Sequence, residues 1–146
     1  MRWAATLRAM AMKTYQGSCH CKRVRFEATL DLMEGTGKCN CTNCWKKRAW
    51  TARVKPEDFR ALGNEQELSG YKPDSADGHH GGFCKHCGVL TYAWVEKTEW
   101  NPTTYVSVSV AALDGLDPAE LIAAPVTYYD GLANNWWNPP AETRHL

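Results

Sequence analysis

The seven cysteines of the chain fall into three short clusters, and this spacing constrains the fold more than any other feature. The clusters are C-x-C (Cys19, Cys21), C-x-C-x-x-C (Cys39, Cys41, Cys44) and C-x-x-C (Cys84, Cys87). Thiolates two or three residues apart on a tight turn can point at one cation, which is how short-spaced cysteine pairs bind zinc. Three such clusters in 146 residues therefore predict metal binding.

Seven thiols divide most simply into four and three. Four thiolates close a tetrahedral zinc site, whereas three leave the fourth position for water or substrate. The compact C-x-C-x-x-C cluster can hold one metal alone, and the other two clusters then share a second metal. Another partition stays open, in which a C-x-C pair of the triple joins Cys84 and Cys87 and leaves Cys19 and Cys21 spare. We favour the first partition, which predicts two zinc ions per chain, one structural and one potentially catalytic.

Length and composition indicate one globular domain of ordinary make-up. The chain has 146 residues, of which 44% are hydrophobic and 23% charged, and single domains commonly run to ~100–200 residues. The net charge is only +1, from 17 basic and 16 acidic residues. Because no strong cationic field results, nucleic acid is not an expected partner. No apolar run approaches the ~20 residues that span a bilayer, so no membrane partner is expected either. The oligomeric state is not predicted.

Cysteine usage also bears on the cellular compartment. A disulfide scaffold normally has an even number of cysteines and a secretory signal, but seven is odd and the apolar stretch before residue 14 is short and broken. We therefore expect a reducing, cytoplasmic compartment. Residues 1–13 are interpreted as a dispensable, flexible extension. Residues 14–146 are interpreted as a single zinc-binding β domain with an aromatic C-terminal tail.

Alternating apolar residues predict a mainly β fold. Strands are expected over 24–30, 50–54, 89–95, 105–110 and 126–129, the fourth with valine at every second position. Two short helices are expected, one over 56–62 and one that starts at Pro118 with Asp117 as its N-cap. The glycine-rich stretch 74–82 is predicted to be a surface loop. Trp136 and Trp137 are predicted to anchor the tail on the sheet, since indole rings carry a large apolar surface.

Basic and aromatic residues flank the cysteine triple. Lys46, Lys47 and Arg48 follow Cys44, and Lys38 precedes Cys39. These cations are predicted to offset a negative metal site and to bind substrate carboxylates, Arg48 through a bidentate contact; a solvated turn is the alternative. Trp45 would form a wall of the pocket or, equally, belong to the core.

The five histidines are weaker candidates. His20 and His86 lie inside the cysteine clusters, where the intervening residue points away from the metal. His79 and His80 are either a fourth ligand or an acid–base group, or else solvated loop residues, which is the interpretation that we favour. His145, in the tail, is expected to be exposed.

The cysteine motifs, read with their neighbours, resemble one family. The segments YQGSCHC from Tyr15, KCNCTNC from Lys38 and FCKHCG from Phe83 are similar to those of the glutathione-dependent formaldehyde-activating enzymes, a family that includes centromere protein V-like proteins. The resemblance spans about residues 14–110. One departure is Lys22, which follows Cys21 where glycine is common.

The resemblance implies a β-tent fold related to zinc ribbons, with a structural zinc on one cysteine set and a second zinc, which binds a thiol adduct, on the other. The structural set is Cys19, Cys21, Cys84 and Cys87, and the catalytic set is Cys39, Cys41 and Cys44. It also implies a carbon–sulfur lyase that acts on the hydroxymethyl adduct of glutathione. A zinc with three thiolates is a weak Lewis acid suited to an exchanging sulfur ligand, which fits this chemistry.

Two other classes of protein remain as alternatives. The first is a non-catalytic, zinc-ribbon-like module that binds proteins and carries two structural zincs. The second is a disulfide oxidoreductase, which is disfavoured because short-spaced cysteine pairs in such turns are usually ligands. The fourth ligand at the cysteine triple separates the first alternative from the enzyme: a protein side chain favours the module, and water or a small molecule favours catalysis.

Overall fold

The computed structural model describes residues 11–63, 65–72 and 78–146. Within these residues the chain is mainly β, as predicted, with ten strands and two short α-helices. The strands are β1 (Lys13–Ser18), β2 (Arg25–Leu30), β3 (Thr36–Cys39), β4 (Thr51–Val54), β5 (Phe59–Ala61), β6 (Leu68–Ser69), β7 (His79–Cys84), β8 (Leu90–Val95), β9 (Tyr105–Ser109) and β10 (Val126–Tyr129). The helices are α1 (Thr42–Lys47) and α2 (Pro118–Ala123), and single 3-10 turns span Leu32–Glu34, Pro56–Asp58, Glu65–Glu67, Val110–Ala112 and Gly131–Ala133.

The strands form two sheets. One has three strands in the order β1-β2-β5, and the other has seven in the order β10-β3-β4-β9-β8-β7-β6. All pairs are antiparallel except β10 with β3, which are parallel and place Tyr129 opposite Cys39. This parallel pair matters for function because it brings the C-terminal segment to the end of β3, where the cysteine triple begins.

The core lies where one face of each sheet meets the other. Phe26, Ala28 and Leu30 of β2 are buried, and so are Val106 and Val108 of β9, in the alternation that the sequence predicted. Phe26 is fully buried against Phe59 and Tyr92, at ring-centroid distances of 5.7 and 5.4 Å. Full burial of such a side chain contributes roughly 1.5–3 kcal/mol, so the packing of Phe26 against β5 and β8 is a main source of stability.

Gly17 of β1 is required by this core. It pairs with Phe26, and a Cβ atom at this position would lie 2.1 Å from the Cζ atom of that ring. The glycine therefore lets the aromatic ring cover the strand just before Cys19.

Most predicted elements are confirmed, and two are corrected. All five predicted strands are present within a residue of their predicted ends, and Asp117 caps α2 by accepting a hydrogen bond from the Ala119 N–H at 2.9 Å. The helix predicted over 56–62 is wrong beyond its first turn, because Phe59–Ala61 is strand β5. Pairing with β2 places the Phe59 ring against the core, which outweighs the weak local helical preference.

The loop predicted over 74–82 is also corrected. Residues 73–77 lie outside the described residues, but His79–Cys84 forms β7 between β6 and β8. Two of its residues are glycines, so the sequence shows no alternation of apolar and polar side chains there. These glycines lie at a register irregularity between Gly81 and Phe83. The strand is defined by its partner β8 rather than by its own pattern.

The tryptophan anchor of the tail is wrong for Trp137, whose side chain is 85% exposed, while Trp136 is half exposed. Polar contacts hold the tail instead. The Lys38 ammonium donates to the Leu146 carbonyl oxygen at 3.0 Å, and the Arg48 guanidinium donates to the His145 carbonyl oxygen at 2.7 Å.

Two further observations concern the predicted N-terminal extension and the helices. Residues 1–10 of the predicted extension lie outside the described residues, and β1 begins at Lys13. Among the helices of the part that the structure describes, none has the length and apolar character needed to cross a membrane.

Candidate metal centres and the adjoining cavity

The first cysteine group brings together two turns that are distant in the sequence. Cys19, Cys21, Cys84 and Cys87 have sulfur atoms that all lie within 4.8 Å of one another. Sulfur–sulfur distances of 3.6 Å for Cys19–Cys21 and 3.7 Å for Cys21–Cys84 are those of thiols converging on one point. Cys19 and Cys84 are buried, Cys87 is partly exposed and Cys21 is exposed, so this group lies at the edge of the core.

Two turns of the same design build this group. One turn begins at Cys19, directly after β1 ends. The other begins at Cys84, the last residue of β7. In each, the N–H of that cysteine donates at 3.0 Å to the carbonyl five residues later, Val24 in one turn and Val89 in the other. A backbone N–H also points at each sulfur, from Val24 to Cys19 at 3.3 Å and from His86 to Cys84 at 3.4 Å. The repetition explains why C-x-C and C-x-x-C can face one another.

Lys22 occupies the position where the resemblance favours glycine, and its backbone explains that preference. Its φ of 66° lies in the left-handed region, which costs an L-residue about 1–2 kcal/mol. Its ammonium donates to the Ser18 hydroxyl at 2.8 Å and lies 3.6 Å from the Asp114 carboxylate. These contacts tie the lysine across the turn and partly offset the strain.

The second group is Cys39, Cys41 and Cys44, whose sulfur atoms again lie within 4.8 Å of one another. Cys39 ends β3, Cys41 is the N-cap of α1, and Cys44 lies in its first turn. The Cys41 sulfur accepts a hydrogen bond from the Cys44 N–H at 3.4 Å, and the Cys39 sulfur accepts one from the Cys41 N–H at 3.4 Å. The strand-to-helix turn thus points all three thiols inward, and each is partly exposed.

The segment after β10 packs on this triple, which sequence reasoning missed. The Asn40 side chain donates to Asp130 at 2.7 Å and accepts from the Leu132 N–H at 3.0 Å. Gly131 lies so close that a Cβ atom there would be 2.7 Å from the Cys39 sulfur. The asparagine between two cysteines and the glycine after Asp130 were the only sequence signals, and neither is specific alone.

The thiols of the cysteine triple have unequal pKa values. A hydrogen bond from Cys44, together with the N–H groups of Cys41 and Gly131, lowers the pKa of Cys39 to about 5. The same hydrogen bond to Cys39, with burial, raises the pKa of Cys44. In the first group, N–H groups of Cys21 and Val89 lower the pKa of Cys87 to about 6. Each group therefore holds a thiolate at neutral pH, which is the protonation state that a metal requires.

Both groups fit a metal ion by their donor chemistry. Soft thiolate ligands favour zinc among the common biological cations, four of them suit a closed structural site, and three suit a site with an exchangeable position. Among the described residues, no histidine, aspartate, glutamate or further cysteine joins the triple. All seven cysteines are free.

A cavity of about 250 Å³ adjoins the triple and not the first group. Cys39 and Cys44 line it, with Lys38, Lys47 and Tyr71. Its floor includes Thr91, which is 1% exposed and whose hydroxyl has no hydrogen-bond partner among the described residues. A buried unpaired hydroxyl costs about 1–3 kcal/mol, so Thr91 lowers the stability of the fold locally.

Of the predicted substrate-binding residues, Lys47 lies at the cavity, whereas Arg48 and Trp45 contact the C-terminal tail. Lys47 lines the cavity, with its ammonium 5.7 Å from the Tyr71 ring centroid, whereas Lys46 does not line it. Arg48 stacks on Trp45 at 4.8 Å and donates to the His145 carbonyl. Trp45 also contacts the His145 ring at 4.9 Å and is 39% exposed. Arg48 and Trp45 thus hold the tail beside the triple.

The histidines are placed as follows. His79 lines the cavity, whereas His80 does not and instead lies 3.5 Å from the Glu96 carboxylate. His86 contacts Glu67 and Arg23, and His20 is exposed. None of them joins either cysteine group.

The fold and these sites define a class of protein: a mainly β domain with a four-cysteine and a three-cysteine group that each fit a metal ion by their donor chemistry, the second at a cavity. Comparison with known proteins narrows this class. The sequence profile described as "Glutathione-dependent formaldehyde-activating enzyme" matches residues 14–129. The chain belongs to this family, which confirms the resemblance of its cysteine motifs.

A similar fold is known from a solved structure. The structure is similar to the crystal structure of a Rhodobacter sphaeroides protein, with a TM-score of 0.62 and 29% sequence identity. That similarity covers 77% of this chain and 99% of the other. No curated protein matches the chain significantly.

Proposed function

We propose that this protein is a zinc-dependent carbon–sulfur lyase that acts on the adduct of a small thiol with an aldehyde, S-hydroxymethylglutathione being the first candidate. One observation carries the proposal: the three-cysteine group opens onto a cavity that Lys38 and Lys47 also line, and no residue of the four-cysteine group lines that cavity. We assign the structural zinc to Cys19, Cys21, Cys84 and Cys87.

The reaction R–S–CH₂–OH → R–SH + HCHO breaks the carbon–sulfur bond. The electron pair goes to sulfur, which ends as a thiol, and the hydroxyl loses its proton as the carbonyl forms. Cys39, Cys41 and Cys44 would hold a zinc ion, which would supply stabilisation of the sulfur as it gains charge.

The chain's own residues would bind and orient the adduct. Lys38 and Lys47 line the cavity and attract substrate carboxylates. His79 lines the same cavity, and we assign it the role of accepting the hydroxyl proton. Arg48 and Trp45 support the site from the tail side. Seven free thiols suit a reducing compartment, so we propose that the protein acts in the cytoplasm.

Matched cysteine variants test this assignment. Cys41→Ser should leave the protein folded, lower its zinc content from about two to about one per chain, and abolish adduct chemistry. Cys19→Ser should unfold it, since a structural zinc contributes an apparent ~10–16 kcal/mol against a typical net stability of ~5–15 kcal/mol. Zinc analysis under reducing conditions and thermal melts measure both effects.

Two outcomes would contradict the proposal. If Cys41→Ser unfolds the chain as severely as Cys19→Ser, both metals are structural and the protein-binding module is the better interpretation. A second measurement is independent of activity: cobalt-substituted protein titrated with thiols should change its absorption bands as sulfur binds the metal. Unchanged bands across a panel of thiols would also favour the module.

A further inference from the structure

Tyr129 is the aromatic residue that the strand pairing places beside the cysteine triple. Parallel pairing of β10 with β3 sets Tyr129 opposite Cys39, and neighbouring strands of a sheet lie about 4.8 Å apart. Both residues line the cavity at the triple. A second cavity, of about 610 Å³, also has Tyr129 in its lining. The tyrosine therefore lies at the boundary of the two cavities, next to the thiols.

The position of the Tyr129 ring depends on Gly37. A Cβ atom at Gly37 would lie 3.2 Å from the Cε2 atom of the ring, so the ring covers β3 where that strand has no side chain. The Cε2 atom is bonded to the carbon that carries the hydroxyl, so the hydroxyl also lies near Gly37. Trp136 lies close to the same ring, at a centroid distance of 6.4 Å. The ring is thus placed between β3 and the segment after β10.

The Tyr129 hydroxyl is available to a ligand. The residue is partly exposed, and among the described residues its hydroxyl has no hydrogen-bond partner. Gly37 and Cys39 are two residues apart on β3, which is about 7 Å along the strand. An adduct with its sulfur at the triple carries its oxygen two covalent bonds further on, and a hydrogen bond to that oxygen adds about 2.8 Å. These lengths match the step from the triple to the hydroxyl.

The reaction needs a donor of this kind. When the hydroxyl of the adduct loses its proton, negative charge develops on the oxygen before the carbon–sulfur bond breaks. A fixed donor that points at such an oxygen stabilises the charge, and removal of one donor costs about 100- to 1,000-fold in kcat. The substrate proton leaves to His79, as proposed above, and the tyrosine keeps its own proton.

From this geometry we infer that Tyr129 is a further catalytic residue, whose hydroxyl donates a hydrogen bond to the oxygen of the thiol–aldehyde adduct. The inference rests on the proposed function, because the cysteine triple fixes the position of the sulfur. It adds the group that binds the oxygen. In the reverse reaction the same hydroxyl would polarise the carbonyl of the aldehyde as the thiol attacks it.

Tyr129→Phe tests the inference because it removes only the hydroxyl. In the zinc-loaded protein it should lower kcat for cleavage of S-hydroxymethylglutathione by about 100-fold or more, with a much smaller effect on KM. Zinc content and thermal stability should stay at the native values. Tyr128→Phe is the matched control, since Tyr128 is the neighbouring residue on β10 and lines neither cavity. Its kcat should be unchanged.

A second measurement does not depend on catalysis. 2-Mercaptoethanol carries a hydroxyl group where 1-propanethiol carries a methyl group, so the ratio of their affinities reports a partner for the hydroxyl. Calorimetry with the zinc-loaded native protein should show a preference for 2-mercaptoethanol. Tyr129→Phe should lower that ratio by about 2- to 10-fold, as for loss of one hydrogen bond, and Tyr128→Phe should preserve it.

The outcomes separate the inference from the proposed function. Loss of both kcat and the preference in Tyr129→Phe supports the inference. An unchanged kcat, an unchanged preference or an equal loss in Tyr128→Phe overturns it, while adduct cleavage by the native protein still supports the proposed function. The same holds if Thr51→Val, which removes the hydroxyl opposite Gly37, causes the loss instead. If the native protein cleaves no adduct, the proposed function fails and the role of Tyr129 fails with it.

Discussion

Gly131 offers the sharpest test of how the C-terminal segment shapes the cysteine triple. Its φ lies outside the left-handed region, so the backbone accepts alanine there without strain. The added methyl group, however, would lie 2.7 Å from the Cys39 sulfur, 2.9 Å from the Trp136 ring and 3.0 Å from the Cys41 Cβ atom. Two of these three contacts are with ligands of the proposed metal site.

The size of the effect follows from these overlaps. Favourable contacts between heavy atoms are about 3.5–4.0 Å, so Cys39 must move by about 1 Å. Overpacking of this kind costs about 1–3 kcal/mol. Without metal the Cys39 side chain can rotate away, but with metal its sulfur is held in place, so the cost falls mainly on the metal-bound state. At about 1.4 kcal/mol per tenfold, Gly131→Ala should weaken zinc binding at the triple roughly 5- to 150-fold.

Competition with a chromogenic zinc chelator measures this change, since the two sites of the native protein should release zinc in separate phases. Gly70→Ala is the matched control: its methyl group would lie 2.5 Å from the Gly81 carbonyl oxygen. It should lower thermal stability without selectively weakening the same zinc phase. An unchanged competition curve for Gly131→Ala would refute the argument that the segment after β10 presses on the ligands.

Two further predictions concern the core. Phe26→Ala should lower the free energy of unfolding by about 3–5 kcal/mol in chemical denaturation, and a loss below about 1.5 kcal/mol would contradict its central role. Burial, then the charge and hydrogen bond of Glu65, raises the pKa of Tyr92 to about 12. Because an unfolded tyrosine titrates near pH ~10, the unfolded state releases its proton first and stability should fall between about pH 10 and 12. Tyr92→Phe should remove that part of the pH dependence; parallel curves for the two proteins would show that Tyr92 does not cause it.

Local sequence patterns predicted the parts of the fold that alternate cleanly. Valine at every second position marked β9, and the Asp-Pro pair marked the start of α2. Strand β7 was missed because two of its six residues are glycines, which carry no side chain to show alternation. Its strand conformation comes from pairing with β8, which is a tertiary effect. The same cause made Phe59–Ala61 a strand where a helical turn was predicted.

The two cysteine groups were predictable to different degrees for a physical reason. Cysteine spacing identifies the thiols that converge, because thiols two or three residues apart on one turn can point at one cation. Cysteine spacing does not identify the distant segments that pack against these thiols. Gly131 and Asp130 approach the triple only because β10 pairs in parallel with β3, and no spacing rule links residues that far apart. The lining of the cavity was missed for the same reason.

This difference implies that the two sites respond separately to changes in the chain. The four-cysteine group rests on two turns whose hydrogen bonds lie within five residues, so only changes in those turns, or in the sheets that bring them together, should disturb it. The three-cysteine group has local turns too, but contacts from Asn40 to the segment after β10 hold its outer side. Changes in the C-terminal segment should therefore alter metal exchange and ligand access at the triple while the four-cysteine group keeps the domain folded.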